Sequence, residues 1–146
     1  MTDADETEDS TETSKGGAAV QIYARLRMLM PWEPKKISVK VLDDNVVQNK
    51  TDKTTNEYSF QHVFNMSKTN EDLFRTMCKP LIRRVLEGYN AVLIAYGQTG
   101  SGKTHTLLGK LEQNVKGVLP LSLEALLEAP SVKSIELSGI EAYGTH

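Results

Sequence analysis

Cysteine is nearly missing from this chain: of 146 residues only Cys78 carries a thiol. One thiol cannot close an internal disulfide, and a structural zinc site needs about four ligands, so a secreted disulfide scaffold and a cysteine zinc module are both excluded. A reducing compartment fits such a chain. Long apolar runs are missing too, since none approaches the roughly 20 residues of a bilayer-spanning helix, which argues against a membrane protein. No basic segment followed by an apolar stretch opens the sequence, so a secretory signal is not expected. Positive charge is not in excess either. Seventeen Lys and Arg face nineteen Asp and Glu for a net charge of −2, which argues against a general nucleic-acid binder. Beyond Asp72 there is no aspartate at all.

What is present is ordinary soluble composition, 39% hydrophobic and 25% charged, enough for one domain or a piece of a larger one. The charge is unevenly spread. Asp3, Asp5, Glu6, Glu8, Asp9 and Glu12 precede the first base, Lys15. That stretch has no large apolar side chain besides Met1 and cannot offset its ordering entropy, so residues 1–18 read as a disordered acidic tail. Its Ser and Thr hydroxyls leave a regulatory role open beside that of a solvated spacer.

Structure is expected from residue 19 onward. Residues 19–28 alternate, with Val20, Ile22, Ala24 and Leu26 on the face expected to be apolar, and residues 37–42 alternate again. Asp43-Asp44-Asn45 reads as a turn before Val46-Val47, residues 49–57 as a polar loop, and Tyr58-Ser59-Phe60 as a short extended piece. Thr69 with Asp72 predicts a helix start resembling a capping box, and Gly88 a stop. Between them Leu73, Phe74, Met77, Leu81, Ile82 and Val85 form an apolar stripe, with Cys78 expected to be buried and inert. Pro80 conflicts with an uninterrupted helix. Residues 91–96, AVLIAY, read as a strand buried on both faces. After the glycine loop a helix is expected to about Leu111, then a polar loop over 112–116, a helix opening near Pro120 and stopped by Pro130, and a last strand over 132–143. That order is an α/β pattern.

Gly97-Gln98-Thr99-Gly100-Ser101-Gly102-Lys103-Thr104 satisfies G-x-x-x-x-G-K-[ST]. Glycines let the backbone curl around a phosphate, and the following helix begins where unpaired N–H groups favour an anion. Lys103 is placed to reach the β- and γ-phosphates, and the Thr104 hydroxyl to ligate Mg²⁺. From average residue usage a chance match in this length arises roughly 0.5% of the time, which sets aside a mere glycine turn ending in a surface lysine. A dinucleotide fold is disfavoured, because its fingerprint is G-x-G-x-x-G with an acid about 20 residues on.

The string from Gly88 through Tyr96 into GQTGSGKTHT (97–106) resembles the nucleotide-loop signature of the kinesin motor domain. Arg25-Leu26-Arg27 resembles that family's R-x-R-P, residues 58–64 its F-x-F-D-x-V-F, residues 117–120 its G-I-I-P, and residues 138–143 its S-Y-L-E-I-Y. The resemblance covers residues 19–146 and implies the amino-terminal part of a P-loop NTPase-type, three-layer motor head, incomplete at the C-terminal end. It implies ATP and Mg as cofactors, and microtubules as partner through parts of the head beyond these residues. The implied location is cytoplasmic, on the cytoskeleton. It also implies adenine contacts at Arg25, Arg27, Tyr89 and His105, with Met28 where the family has proline. Solvated strand arginines and a surface histidine remain the alternative.

The family's switch motifs N-x-x-S-S-R-S-H and D-L-A-G-S-E do not occur in these residues. Two functions therefore stay open: an ATP-driven microtubule motor, or a nucleotide-binding fragment that does not hydrolyse. A small-substrate P-loop kinase is a distant third, because the flanking strings fit kinesin better.

Overall fold

The computed structural model describes residues 20–33 and 38–142. The acidic tail, Ile37 and the chain end from Tyr143 lie outside the described residues. β1 (Tyr23–Arg25) and β5 (His62–Phe64) form a parallel pair with Tyr23 opposite His62 and Arg25 opposite Phe64. The connection between them is an antiparallel meander of β2 (Val39–Asp43), β3 (Val46–Lys50) and β4 (Thr55–Ser59). The polar stretch expected to loop over 49–57 is thus mostly paired. A meander with a solvated face needs no apolar alternation, so the pattern does not announce it. The meander docks on β5 where the Val63 N–H donates to the Asp44 carbonyl at 2.7 Å.

The expected apolar face of the first strand is also corrected. Val20 and Ile22 are exposed, whereas Tyr23 stacks on Phe64 with ring centroids 6.1 Å apart and packs against the core. The helices lie on the side of β1 that carries Tyr23 and Arg25, so the face with more polar letters is the one that packs.

α1 (Asn70–Leu73) opens with the expected capping box: the Asp72 N–H reaches Thr69 Oγ1, and the Thr69 N–H donates to Asp72 Oδ2 at 2.9 Å. A π-helical turn, Phe74–Cys78, then leads into α2 (Lys79–Leu86). The Lys79 N–H bonds the Phe74 carbonyl five residues back. This resolves the Pro80 conflict. The wide turn places Pro80 in the first turn of α2, where its missing N–H leaves no gap. It also shifts the helix phase, so Leu73 and Cys78 are the buried pair and Met77, expected in the stripe, is only half-buried. α2 ends as expected around Gly88, with the Gly88 N–H to Val85 O at 2.9 Å and the Tyr89 N–H to Arg84 O at 2.9 Å, a Schellman pattern.

α3 (Lys103–Leu107) is shorter than expected and gives way to a small hairpin, β6 (Gly109–Lys110) with β7 (Val115–Lys116), around a 3₁₀ turn. Gly109 has φ +88, and a Cβ there would lie 2.0 Å from the Val115 carbonyl oxygen, so the helix ends where the hairpin backbone closes on it. α4 (Val118–Leu127) follows, with Pro120 in its first turn.

Phe64, Leu73, Cys78 and Val118 form the buried core, joined by Tyr23, Phe74, Met77 and Leu107. Burial pushes the Cys78 thiol pKa up, which matches the inert role expected of it. Residues 91–96 and 132–142 are corrections. Neither stretch forms a strand ladder among the described residues, and Ile94 and Tyr96 are 79% and 98% exposed. Parallel strands buried on both faces need neighbours on both edges, and the two strands β1 and β5 do not supply them. Along Leu81, Ile82, Val85, Leu93, Leu119 and Leu126 runs an open apolar groove of about 650 Å³. Among the described residues no helix is long and apolar enough to cross a membrane.

The core predicts a measurable hierarchy. Phe64→Ala should cost about 3–5 kcal/mol of unfolding free energy in urea, while Tyr58→Ala on the exposed meander should cost under about 1 kcal/mol. Equal losses would show that β5 is not the centre of the core.

Candidate functional site

The glycine loop runs from Gly97 to Thr104 at the start of α3. Gly97 has φ +154, a conformation that other residues rarely adopt, and a Cβ there would sit 2.6 Å from Ser101 Oγ, so a side chain at this position would be strained and would displace the serine hydroxyl. The Ser101 N–H donates to the Gln98 carbonyl at 3.2 Å, making the inner turn, and Gly102 caps α3. Lys103 folds back over this turn. Its Nζ donates to the Gly97 carbonyl at 2.8 Å and the Gln98 carbonyl at 2.9 Å, which holds the ammonium across the loop. Thr99, Gly100 and Thr104 are exposed at its rim.

Arg25 of β1 bonds the helix after this loop, and Arg27, two residues beyond the strand, reaches the loop itself. Arg27 Nε donates to the Gly100 carbonyl at 3.0 Å, and its guanidinium forms a two-pronged pair with Glu33. Glu33 Oε2 also accepts from the Met30 N–H at 2.7 Å. Hydrogen bonding from Arg27 and then from the Met30 N–H pulls the Glu33 pKa down to about 2, and the bond to Glu33 raises that of Arg27. Arg25 Nη1 donates to Thr106 Oγ1 and to Asn70 Oδ1, both at 2.7 Å. Burial lowers its pKa. His105 is half-buried on α3, and burial, Arg25 and Lys110, in that order, lower its pKa, so the imidazole favours the neutral form.

Six of the expected residues around the loop are therefore drawn together by direct hydrogen bonds: Gly97, Gln98, Gly100, Ser101, Lys103 and Arg27. Arg25 is tied to the same helix through Thr106, and His105 lies on that helix. Tyr89 is engaged elsewhere, with the Arg84 guanidinium 3.7 Å from its ring centroid. Met28 is largely exposed, and its carbonyl accepts from Arg27 Nη1 at 2.8 Å.

Sequence reasoning missed Glu33, Thr106 and Asn70. Glu33 is six residues past Arg27 beyond an irregular Pro-Trp turn, which hides the pairing. Thr106 lies four residues after Gly102, one helical turn on, and its hydroxyl donates to the Gly102 carbonyl at 2.9 Å. That spacing was the one usable signal. Asn70 follows a helix cap and looks like any first-turn polar residue. Among the described residues no cluster of three or more His, Cys, Asp or Glu side chains is arranged to hold a metal.

The Kinesin motor domain family model matches residues 5–143. The chain is 35% identical over 137 residues to the kinesin-like protein KIF22 of Rattus norvegicus, covering 87% of this chain and 20% of that protein. It is 32% identical over 129 residues to KIF15 of Homo sapiens, covering 80% of this chain and 9% of that protein. It is thus similar to a small part of each relative's length. A solved structure of a fast kinesin superposes with a TM-score of 0.69 at 27% identity, over 77% of this chain and 34% of that one. The α/β architecture around the loop is accordingly that of the P-loop NTPase type, represented by part of a motor head.

The Glu33 carboxylate predicts its own titration. Its folded pKa of about 2 lies below the ordinary 4.5, so its contribution to stability is fully present above about pH 4.5 and fades as pH falls toward 2. Side-chain carboxyl chemical shifts followed by NMR should give a midpoint near 2, moving back toward 4.5 in Arg27→Ala. An ordinary midpoint in the parent would remove the pair as the anchor of Arg27.

Proposed function

The chain belongs to the kinesin motor domain family, and from that premise we propose that residues 97–104 hold the phosphates of Mg·ATP in an ATP-dependent microtubule motor of the cytoplasmic cytoskeleton. The observation that carries this is Lys103 held across a loop whose first position has a positive φ that favours glycine. Such a loop fits a polyphosphate, because the ammonium can exchange carbonyl partners for anionic oxygens and make stronger, charge-assisted bonds. Thr104 would ligate the metal, and Mg²⁺ when bound would offset charge on the β- and γ-phosphates. Arg25, Arg27, His105 and Tyr89 are proposed to flank the base. In support, Arg25 at the end of β1 bonds Thr106 on the loop's helix, and Arg27 beyond it bonds the Gly100 carbonyl of the loop. The acidic stretch 1–18 is proposed as a separate tail ahead of the motor portion that begins at residue 19.

A second reading, nucleotide binding without turnover by these residues, is favoured by one observation. Neither switch motif and no aspartate beyond Asp72 occurs among them, and orienting the attacking water and the metal's far side requires such groups.

Two measurements test these readings. Lys103→Ala should weaken Mg·ATP binding in calorimetry by roughly 2–3 kcal/mol, and unchanged affinity would remove the phosphate role. Residues 1–146 expressed alone should release no phosphate above background with microtubules added, since removing even one oriented group typically costs about 10²–10³-fold. A microtubule-stimulated rate from these residues would overturn the second reading.

A further inference from the structure

Resting on the reading of the loop as a phosphate site, we infer that Asn70 is a positioning residue for it, acting through Arg25 and Thr106 on the carbonyl that precedes Lys103. Asn70 is the buried polar side chain among the described residues, 4% exposed. Its Oδ1 accepts from Arg25 Nη1 at 2.7 Å, and its Nδ2 donates to the His105 carbonyl at 3.0 Å and the Lys116 carbonyl at 2.9 Å. Only one orientation of the amide satisfies all three, because the donor side must face two carbonyls and the acceptor side the guanidinium. One side chain thereby joins β1, α3 and β7, segments remote from it in sequence.

The link continues to the loop. The same Nη1 of Arg25 donates to Thr106 Oγ1 at 2.7 Å, and that hydroxyl donates to the Gly102 carbonyl at 2.9 Å. Gly102 is the residue before Lys103. The remaining partner of Arg25, the Lys68 carbonyl at 3.5 Å, is too distant to fix the guanidinium alone. Without Asn70, Arg25 would keep one short bond and could swing away from Thr106. The carbonyls of His105 and Lys116 would lose a buried donor, loosening α3 where it carries the lysine. The amide therefore sets where the start of α3 sits before any ligand arrives.

The test uses the full chain with Asn70→Asp, Thr106→Val and Thr106→Ser. Asn70→Asp keeps an acceptor for Arg25 but turns an oxygen toward two carbonyls. Thr106→Val removes the hydroxyl at nearly constant shape, and Thr106→Ser retains it. Calorimetric affinities for Mg·ATP and for inorganic pyrophosphate are read beside the thermal midpoint. Asn70→Asp and Thr106→Val should bind both ligands about tenfold more weakly, and Thr106→Ser should stay within about twofold of the parent. A lower midpoint with parental affinity for both ligands would make the network purely structural and overturn the inference. Loss of ATP affinity with pyrophosphate spared would also overturn it, by showing that the network acts on the base side alone and not on the phosphate loop. Should Asn70→Asp not fold, Thr106→Val against Thr106→Ser decides alone. Lys103→Ala in the same assay separates the two levels. If it weakens binding while the network variants do not, the inference alone fails; if it leaves binding intact, the phosphate reading fails and takes the inference with it.

Discussion

A guanidinium that is half out of water must meet fixed acceptors, and Arg25 meets them on two different helices. Its partners on α1 and α3 hold β1 against the start of the glycine loop's helix. Loss of solvent around a charge is costly unless the replaced hydrogen bonds are well aligned, so this strand has one productive seat on the helices. Much else follows from that seat. Tyr23, two residues earlier on the same face, is brought onto Phe64, and Arg27, two residues later, is brought to the Gly100 carbonyl. Strand period two sets Tyr23 and Arg25 on one side, and the chain leaving β1 carries Arg27 on to the loop.

The loop itself was legible because its requirements are local. Glycine at a closed turn, lysine at the helix start and a hydroxyl after it are dictated by backbone geometry, and eight consecutive letters record them. The helix start at Thr69 and its stop at Gly88 were legible for the same reason, since capping uses residues within one turn of each other. The rest depended on distance in sequence. Which face of β1 packs is decided by helices more than forty residues away, and alternation alone cannot choose between a face with Ile22 and one with Tyr23. Within the meander β2 and its turn into β3 were legible from alternation and Asp43-Asp44-Asn45, whereas the β3–β4 pairing over 49–57 escaped because those residues are polar and solvated. The hairpin after α3 escaped because it hangs on a close backbone approach at Gly109, which composition does not encode.

Residues 91–96 illustrate a different limit. Their composition describes an environment, a sheet interior covered on both faces, more than it describes a conformation. In the structure the same letters form no ladder and line an apolar groove bounded by α2 and α4. The groove and the stretch share one chemistry: each presents aliphatic side chains to water at a density that exceeds the scattered exposure usual on a protein surface. The glycine loop begins immediately after this stretch, so the position of Gly97 depends on its packing as well as on β1.

The wide turn at Phe74–Cys78 bears on how the segment tolerates change. It carries one residue more than a plain α-helical path would need, and that surplus brings Leu73 and Cys78 to the same side and gives Pro80 its place. Excising one residue between 74 and 78 would remove that surplus and close the path to a plain α-helix, with Cys78 and Ile82 still on the side of Leu73 but Pro80 set inside an uninterrupted helix. The wide turn and the proline therefore belong together. Divergence there should couple the two, a one-residue gap in this stretch being accompanied by loss of the proline rather than by a new helix face.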